Sequence, residues 1–158
     1  MTRERKQKTG QQPLEMILAR NLLTNVSTPA LLVDSDTSLL FFNEAAAAVL
    51  GRAFEDVGRM SAEEWSTAFG PIDSAGNPLG VDRMSATEAI RAARPAHGEF
   101  QVRRPGGETI PVEASTFPVV GPSRAASGAM ILFWSLDEEE PAPLQPGSST
   151  IGSIEGLG

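Results

Sequence analysis

The chain offers few side chains able to do chemistry. Its 158 residues include one histidine, His97, and neither a cysteine nor a tyrosine. A Cys/His nucleophile pair, a thiolate metal site and a disulfide are therefore excluded. No Gly-x-Ser-x-Gly elbow and no phosphate-cradling glycine loop occurs. Carboxylates do cluster, at Glu55-Asp56, at Glu63-Glu64 and from Asp137 to Glu140. Two of them converging in a cleft would make a general acid and base, but each cluster lies in a polar stretch whose ordinary reading is solvated charge. These residue types point to a protein that binds rather than to an enzyme.

Charge narrows the partners. Lys and Arg number 13 against 20 Asp and Glu, a formal charge of −7. That disfavours the phosphate-neutralising surface of a nucleic-acid binder, although Arg3, Arg5, Lys6 and Lys8 make the first ten residues locally basic. No apolar run approaches the ~18 residues of a membrane span, and nothing resembles a secretory leader. A cytoplasmic protein with no membrane partner is expected, and the missing cysteines fit a reducing compartment. The polar or Pro/Gly-rich ends leave a middle of single-domain size with one modest core.

The elements that would position any site are organised around Ala30 to Gly51. Leu31 to Val33 and Leu39 to Phe42 are short apolar runs joined by the polar turn Ser35-Asp36-Thr37, which predicts a hairpin. Asn43 stands as a helix N-cap, Glu44 suits the positive end of the helix dipole, and Gly51 suits a left-handed terminator, so a helix is expected over Glu44 to Leu50. Upstream, Leu14, Ile17, Leu18, Leu22 and Val26 recur at helical spacing behind Pro13, which predicts an amphipathic helix over residues 13–26. Downstream, Ser61 and Glu64 form a capping box for a helix ending near Phe69, with Met60 placed to staple onto Trp65. Pro71 to Val81 reads as loop. Ser85 and Glu88 repeat the capping pattern before a helix from Ala86 to about Ala93, whose main core residue should be Ile90.

Three strands follow. Glu99 to Arg103 alternates, with Phe100 and Val102 inward and charges outward as on an edge strand. Thr109 to Phe117 alternates again, placing Ile110, Val112, Ala114 and Thr116 on one face, while Pro111 implies a bulge or a missing amide. Ala129 to Trp134 is apolar on both faces, as a central covered strand would be.

Asn43, Ala45, Gly51 and Gly58, in a strand-turn-strand-helix setting, resemble the opening of PAS domains, which are bacterial sensory modules. Three later stretches resemble PAS features in the same order: SAGNPLG at Ser74 to Gly80 its loop, Arg103 to Ser115 its third-to-fourth-strand hairpin, and Gly128 to Trp134 its last strand. The resemblance spans Val26 to Asp137. It implies an α+β fold with a five-stranded antiparallel sheet in the order 2-1-5-4-3, three short helices on one face and the N-terminal helix on the other. The domain plan is a disordered start over 1–12, a flanking helix over 13–26, a PAS domain over 27–137 and a disordered tail over 138–158.

The resemblance also frames the cofactor question. Flavin-binding photosensory relatives present a reactive Cys on a helix and side-chain amides from the last three strands. Here there is no Cys, and the amide positions fall on Val102, Val112 and Phe133, which cannot hydrogen-bond a flavin edge. Cysteinyl-flavin photochemistry is excluded on this ground, and no cofactor is expected. A haem sensor would need an axial ligand, for which His97, expected in a loop just past the third helix, is the candidate, with Met84 and Met130 as lesser ones. What remains is an apolar cup of Trp65, Phe69, Met84, Ile90, Phe100, Val102, Val112, Ala114, Ile131 and Phe133, with Thr116 its one polar member. It reads as a filled core ahead of a pocket for a small apolar ligand.

For function, the resemblance implies a stand-alone sensory or regulatory domain acting through protein–protein contacts; the alternative is a haem- or flavin-binding redox or gas sensor. The N-terminal stripe of Leu14, Ile17, Leu18 and Leu22 is expected to cover the outer sheet face at Met130, Leu132 and Trp134, within the protomer or across a homodimer. Output would pass in trans to a separate signalling protein.

Overall fold

A computed structural model describes residues 12–136; apart from Gln12, the ends expected to be disordered lie outside the described residues. Helix α1 (Leu14–Thr24) precedes the hairpin β1 (Ala30–Asp34) and β2 (Leu39–Phe42). Helices α2 (Glu44–Leu50), α3 (Phe54–Val57), α4 (Ala62–Ala68) and α5 (Ser85–Ala92) lead to β3 (Ala96–Arg103), β4 (Thr109–Val120) and β5 (Ala126–Ser135). A 3-10 turn over Val81–Arg83 interrupts the stretch between α4 and α5. The strands form one antiparallel sheet in the order β2-β1-β5-β4-β3, as expected.

The sheet carries apolar residues on both faces of its centre. Leu31 and Val33 of β1 and Ile131 and Phe133 of β5 face the helices α2 to α5, and pack with Phe42, Leu50, Trp65 and Phe69. Ala30 and Leu32 face the other way, where α1 lies with Met16, Ala19 and Leu23 against them and against Val119. Burying Met16 and Leu23 contributes on the order of 2 kcal/mol each. Gly128 permits a close approach: a Cβ there would collide with the Met16 side chain and the Val33 carbonyl.

Several expectations are corrected. Helix α1 stops at Thr24, and its docked face is Met16, Ala19 and Leu23, so Leu14, Ile17, Leu18 and Leu22 point to solvent instead of covering the sheet. Its apolar residues surround the axis, so hydropathy alone could not choose the face. Helix α5 begins at Ser85, one residue earlier than expected, with Met84 as an N-cap whose side chain makes no cap bond, and the Ser85 hydroxyl bonds Thr116 Oγ1 at 3.2 Å instead of capping. Its fully buried side chains are Ala86, Thr87 and Ala89, while Ile90 is half-buried. Strand β3 starts three residues earlier than expected and so includes His97. Pro111 makes no bulge: it pairs with Gln101 in unbroken register, and its carbonyl accepts from the Leu136 amide at 2.9 Å.

The capping expectations hold at α2 and α4. Asn43 Oδ1 accepts from the Ala46 amide at 2.9 Å, and Gly51 ends α2 at φ 76. Ser61 and Glu64 exchange both bonds of the capping box, at 2.8 and 3.2 Å.

Candidate functional site

The cup between helices and sheet gathers most of the residues assigned to it from sequence. Trp65 and Phe69 come from α4 and its end, Met84 from the cap of α5, Phe100 and Val102 from β3, and Ile131 and Phe133 from β5. Ile90, Val112, Ala114 and Thr116 do not line it; the last three are fully buried in the packing around it. Leu31, Leu50, Gly70, Pro71, Ser85 and Ala86 complete the wall. Leu31 and Leu50 belonged to the inward faces of their elements and could have been added by parity. Pro71 lay in a stretch without periodicity, so no signal marked it.

These side chains leave a cavity of about 20 Å³. That is about the room one water requires and far below the several hundred Å³ of an ordinary ligand site. Thr116, the one polar group expected to meet a ligand, is instead paired with Ser85. The rim is held by hydrogen bonds. Trp65 Nε1 donates to the Thr37 carbonyl at 2.9 Å, and Thr87 Oγ1 donates to the Val81 carbonyl at 2.6 Å. Behind Phe69, Phe42 meets it at 6.2 Å and Phe54 at 5.4 Å between centroids, both edge-on.

A flavin does not fit these residues. Val102 and Phe133 present hydrocarbon to the cup, Val112 lies behind its wall, and the nearest hydroxyls bond each other. His97 does not supply a haem ligand to the cup either. It lies on β3 with its side chain on the opposite sheet face, Nδ1 against Ser115 Oγ at 3.1 Å and Nε2 against Glu113 Oε2 at 2.7 Å. Trp134 Nε1 donates to the other Glu113 oxygen at 3.2 Å. Among the described residues no group of three or more His, Cys, Asp or Glu side chains is placed to hold a metal ion.

The outer face carries the other assigned residues. Met130 and Leu132 are half-covered beside α1, and Trp134 is exposed. Glu15 near the start of α1 accepts a hydrogen bond from the Ser127 hydroxyl of β5, which holds its carboxyl below the usual carboxylate range. Arg20 lies over the Phe41 ring at 4.4 Å. Among the described residues no helix is long and apolar enough to cross a membrane.

The architecture recurs in known structures. The LOV protein of Rhodobacter sphaeroides superposes with a TM-score of 0.63 at 13% identity, covering 84% of this chain and 73% of that one. A PAS domain from Colwellia psychrerythraea gives 0.56 at 13% identity, covering 76% and 97%. The PAS domain of BvgS from Bordetella pertussis gives 0.53 at 17% identity, covering 79% and 88%. No protein-family model matches the sequence, and no curated protein matches it. The fold is that of PAS domains.

Proposed function

We propose that this PAS-fold chain is a sensory or regulatory module of the cytoplasm that works by binding proteins: a second copy of itself through α1, and a separate signalling protein in trans. It is read as a binding module rather than an enzyme. The observation that carries the reading is the second apolar face of α1. With Met16, Ala19 and Leu23 on the sheet, Leu14, Ile17, Leu18 and Leu22 stand roughly opposite and are 67, 47, 56 and 55% exposed. A helix apolar on both sides is one that packs on both sides. Phe117 and Trp134 add exposed aromatic surface on the neighbouring sheet face.

Against the alternative of a haem or flavin sensor stand the filled apolar cup and the outward placement of His97. The test is light scattering across a wide concentration range on the full chain and on Leu18→Glu/Leu22→Glu, which leaves the docked face intact. A dimer in the first and a folded monomer in the second are expected. A full chain that stays monomeric throughout would refute the self-association.

A further inference from the structure

Beside the exposed edge of β3 lies a second hollow, open to solvent, of about 440 Å³. That volume is within the range of small-molecule sites. Phe100 is the one described side chain that lines both this hollow and the closed cup. The hollow is apolar along Ile72, Leu79, Phe100 and Leu136, and it carries charge of both signs at Arg83, Asp73 and Glu99. Its wall is held in place: Ile72 and Gln101 exchange backbone bonds at 2.9 and 3.2 Å, and Leu79 N donates to the Pro71 carbonyl at 3.0 Å.

The charged groups are available. Asp82 pairs with Arg91 at 3.5 Å, which leaves the neighbouring Arg83 guanidinium without an ion pair or hydrogen bond among the described residues. The Glu99 carboxylate likewise has no partner there. Asp73 is oriented by the amides of Ala75 and Asn77, which bond its Oδ1 at 2.9 and 3.0 Å.

We propose that this hollow binds a small zwitterion with an apolar group, of the free amino acid class. Its carboxylate would meet the planar fork of Arg83. Its ammonium would meet Glu99 and Asp73, and its side chain would lie on Phe100 and Leu79. A simple anion would face two like charges, and a simple amine would leave Arg83 unanswered. Binding would press on Phe100, the side chain shared with the cup, so occupancy outside would be felt inside. The site stands apart from the α1 surface, so it survives if self-association fails.

The test is an amide-shift titration of the full chain with L-leucine and L-phenylalanine, set beside 3-methylbutylamine and 4-methylpentanoate, the leucine analogues lacking one charge. Saturable shifts at Phe100 and Leu136 are expected with at least one amino acid. Weakening of about tenfold or more is expected for both analogues, and for Arg83→Ala and Glu99→Gln. These side chains are exposed, so both variants should melt like the parent. No saturable shift up to about 20 mM of either amino acid, analogues that bind as well as leucine, or undiminished binding in either variant would overturn the assignment.

Discussion

Asn43 Nδ2 donates to the Leu23 carbonyl at 3.0 Å, joining the last turn of α1 to the cap of α2 across 20 residues of sequence. The same amide reaches the Thr28 carbonyl at 2.9 Å, while Oδ1 accepts from the amides of Ala30 and Ala46. Truncation would remove a cap and leave buried backbone groups dry. Asn43→Ala should therefore cost about 3 kcal/mol in chemical denaturation. Asn43→Asp keeps the acceptor and loses the donor, so α2 should persist while α1 amides exchange faster with solvent. Unchanged exchange in α1 would show that another contact holds it.

The two apolar stripes of the protein should respond in opposite ways to truncation. Ile131 is 4% exposed and lines the cup, so Ile131→Ala should cost about 3 kcal/mol. Leu18 is 56% exposed, and Leu18→Ala should change monomer stability by less than about 0.5 kcal/mol. Denaturant titration at concentrations low enough to dissociate any dimer separates the two. A comparable loss at Leu18 would mean that its stripe packs on the domain.

Ala93 ends α5 in the left-handed conformation at φ 54. A methyl side chain there costs on the order of 1 kcal/mol relative to glycine. Ala93→Gly should raise the melting temperature by a few degrees. A fall would show that the Ala93 methyl contributes contacts outweighing this strain.

Glu15 titrates below the ordinary carboxylate range because its charged form accepts from the Ser127 hydroxyl and from its own backbone amide. A carboxyl with a depressed folded-state pKa contributes stability that is complete above its unfolded value and is lost as pH falls through the folded value. Docking of the α1 start should therefore weaken on acidification, and Glu15→Gln should remove that part of the pH response. Amide shifts of Ser127 followed from neutral to acid pH in both proteins read this directly. Identical titration curves would mean that the contact does not govern docking.

The hairpin and the caps of α2 and α4 were legible because each rests on local signals that nothing distant opposes, whereas the strand order came only from the resemblance to PAS domains. The misread features share a different cause. At Ser85 the capping hydroxyl found a tertiary partner in Thr116, 31 residues away, and local logic could not anticipate it. At His97 the strand began early because Ala96 to Gly98 pair with Thr116 to Ala114 of the longer β4, a non-local partner. At α1 both stripes were apolar, and the small Ala19 beside Met16 and Leu23 let that face approach the sheet. The cup was legible by strand parity, whereas the charged hollow beside it joins residues from a loop, a 3-10 turn and the edge of β3 that no periodicity connects.

Both margins of the sheet are covered in part by single-residue bridges. Met60 and Leu39 exchange backbone bonds beside β2, and Ile72 and Gln101 do so beside β3, where the Phe69 carbonyl also takes the Arg103 amide. The unbridged remainder of β3 carries His97 and Glu99. A foreign strand would find few free amides in register and would have to displace charged side chains to reach them. The chain is thus guarded against growing into a continuous ribbon with its own copies, and a partner that recognises it must read side chains on its faces rather than add a strand to its rim.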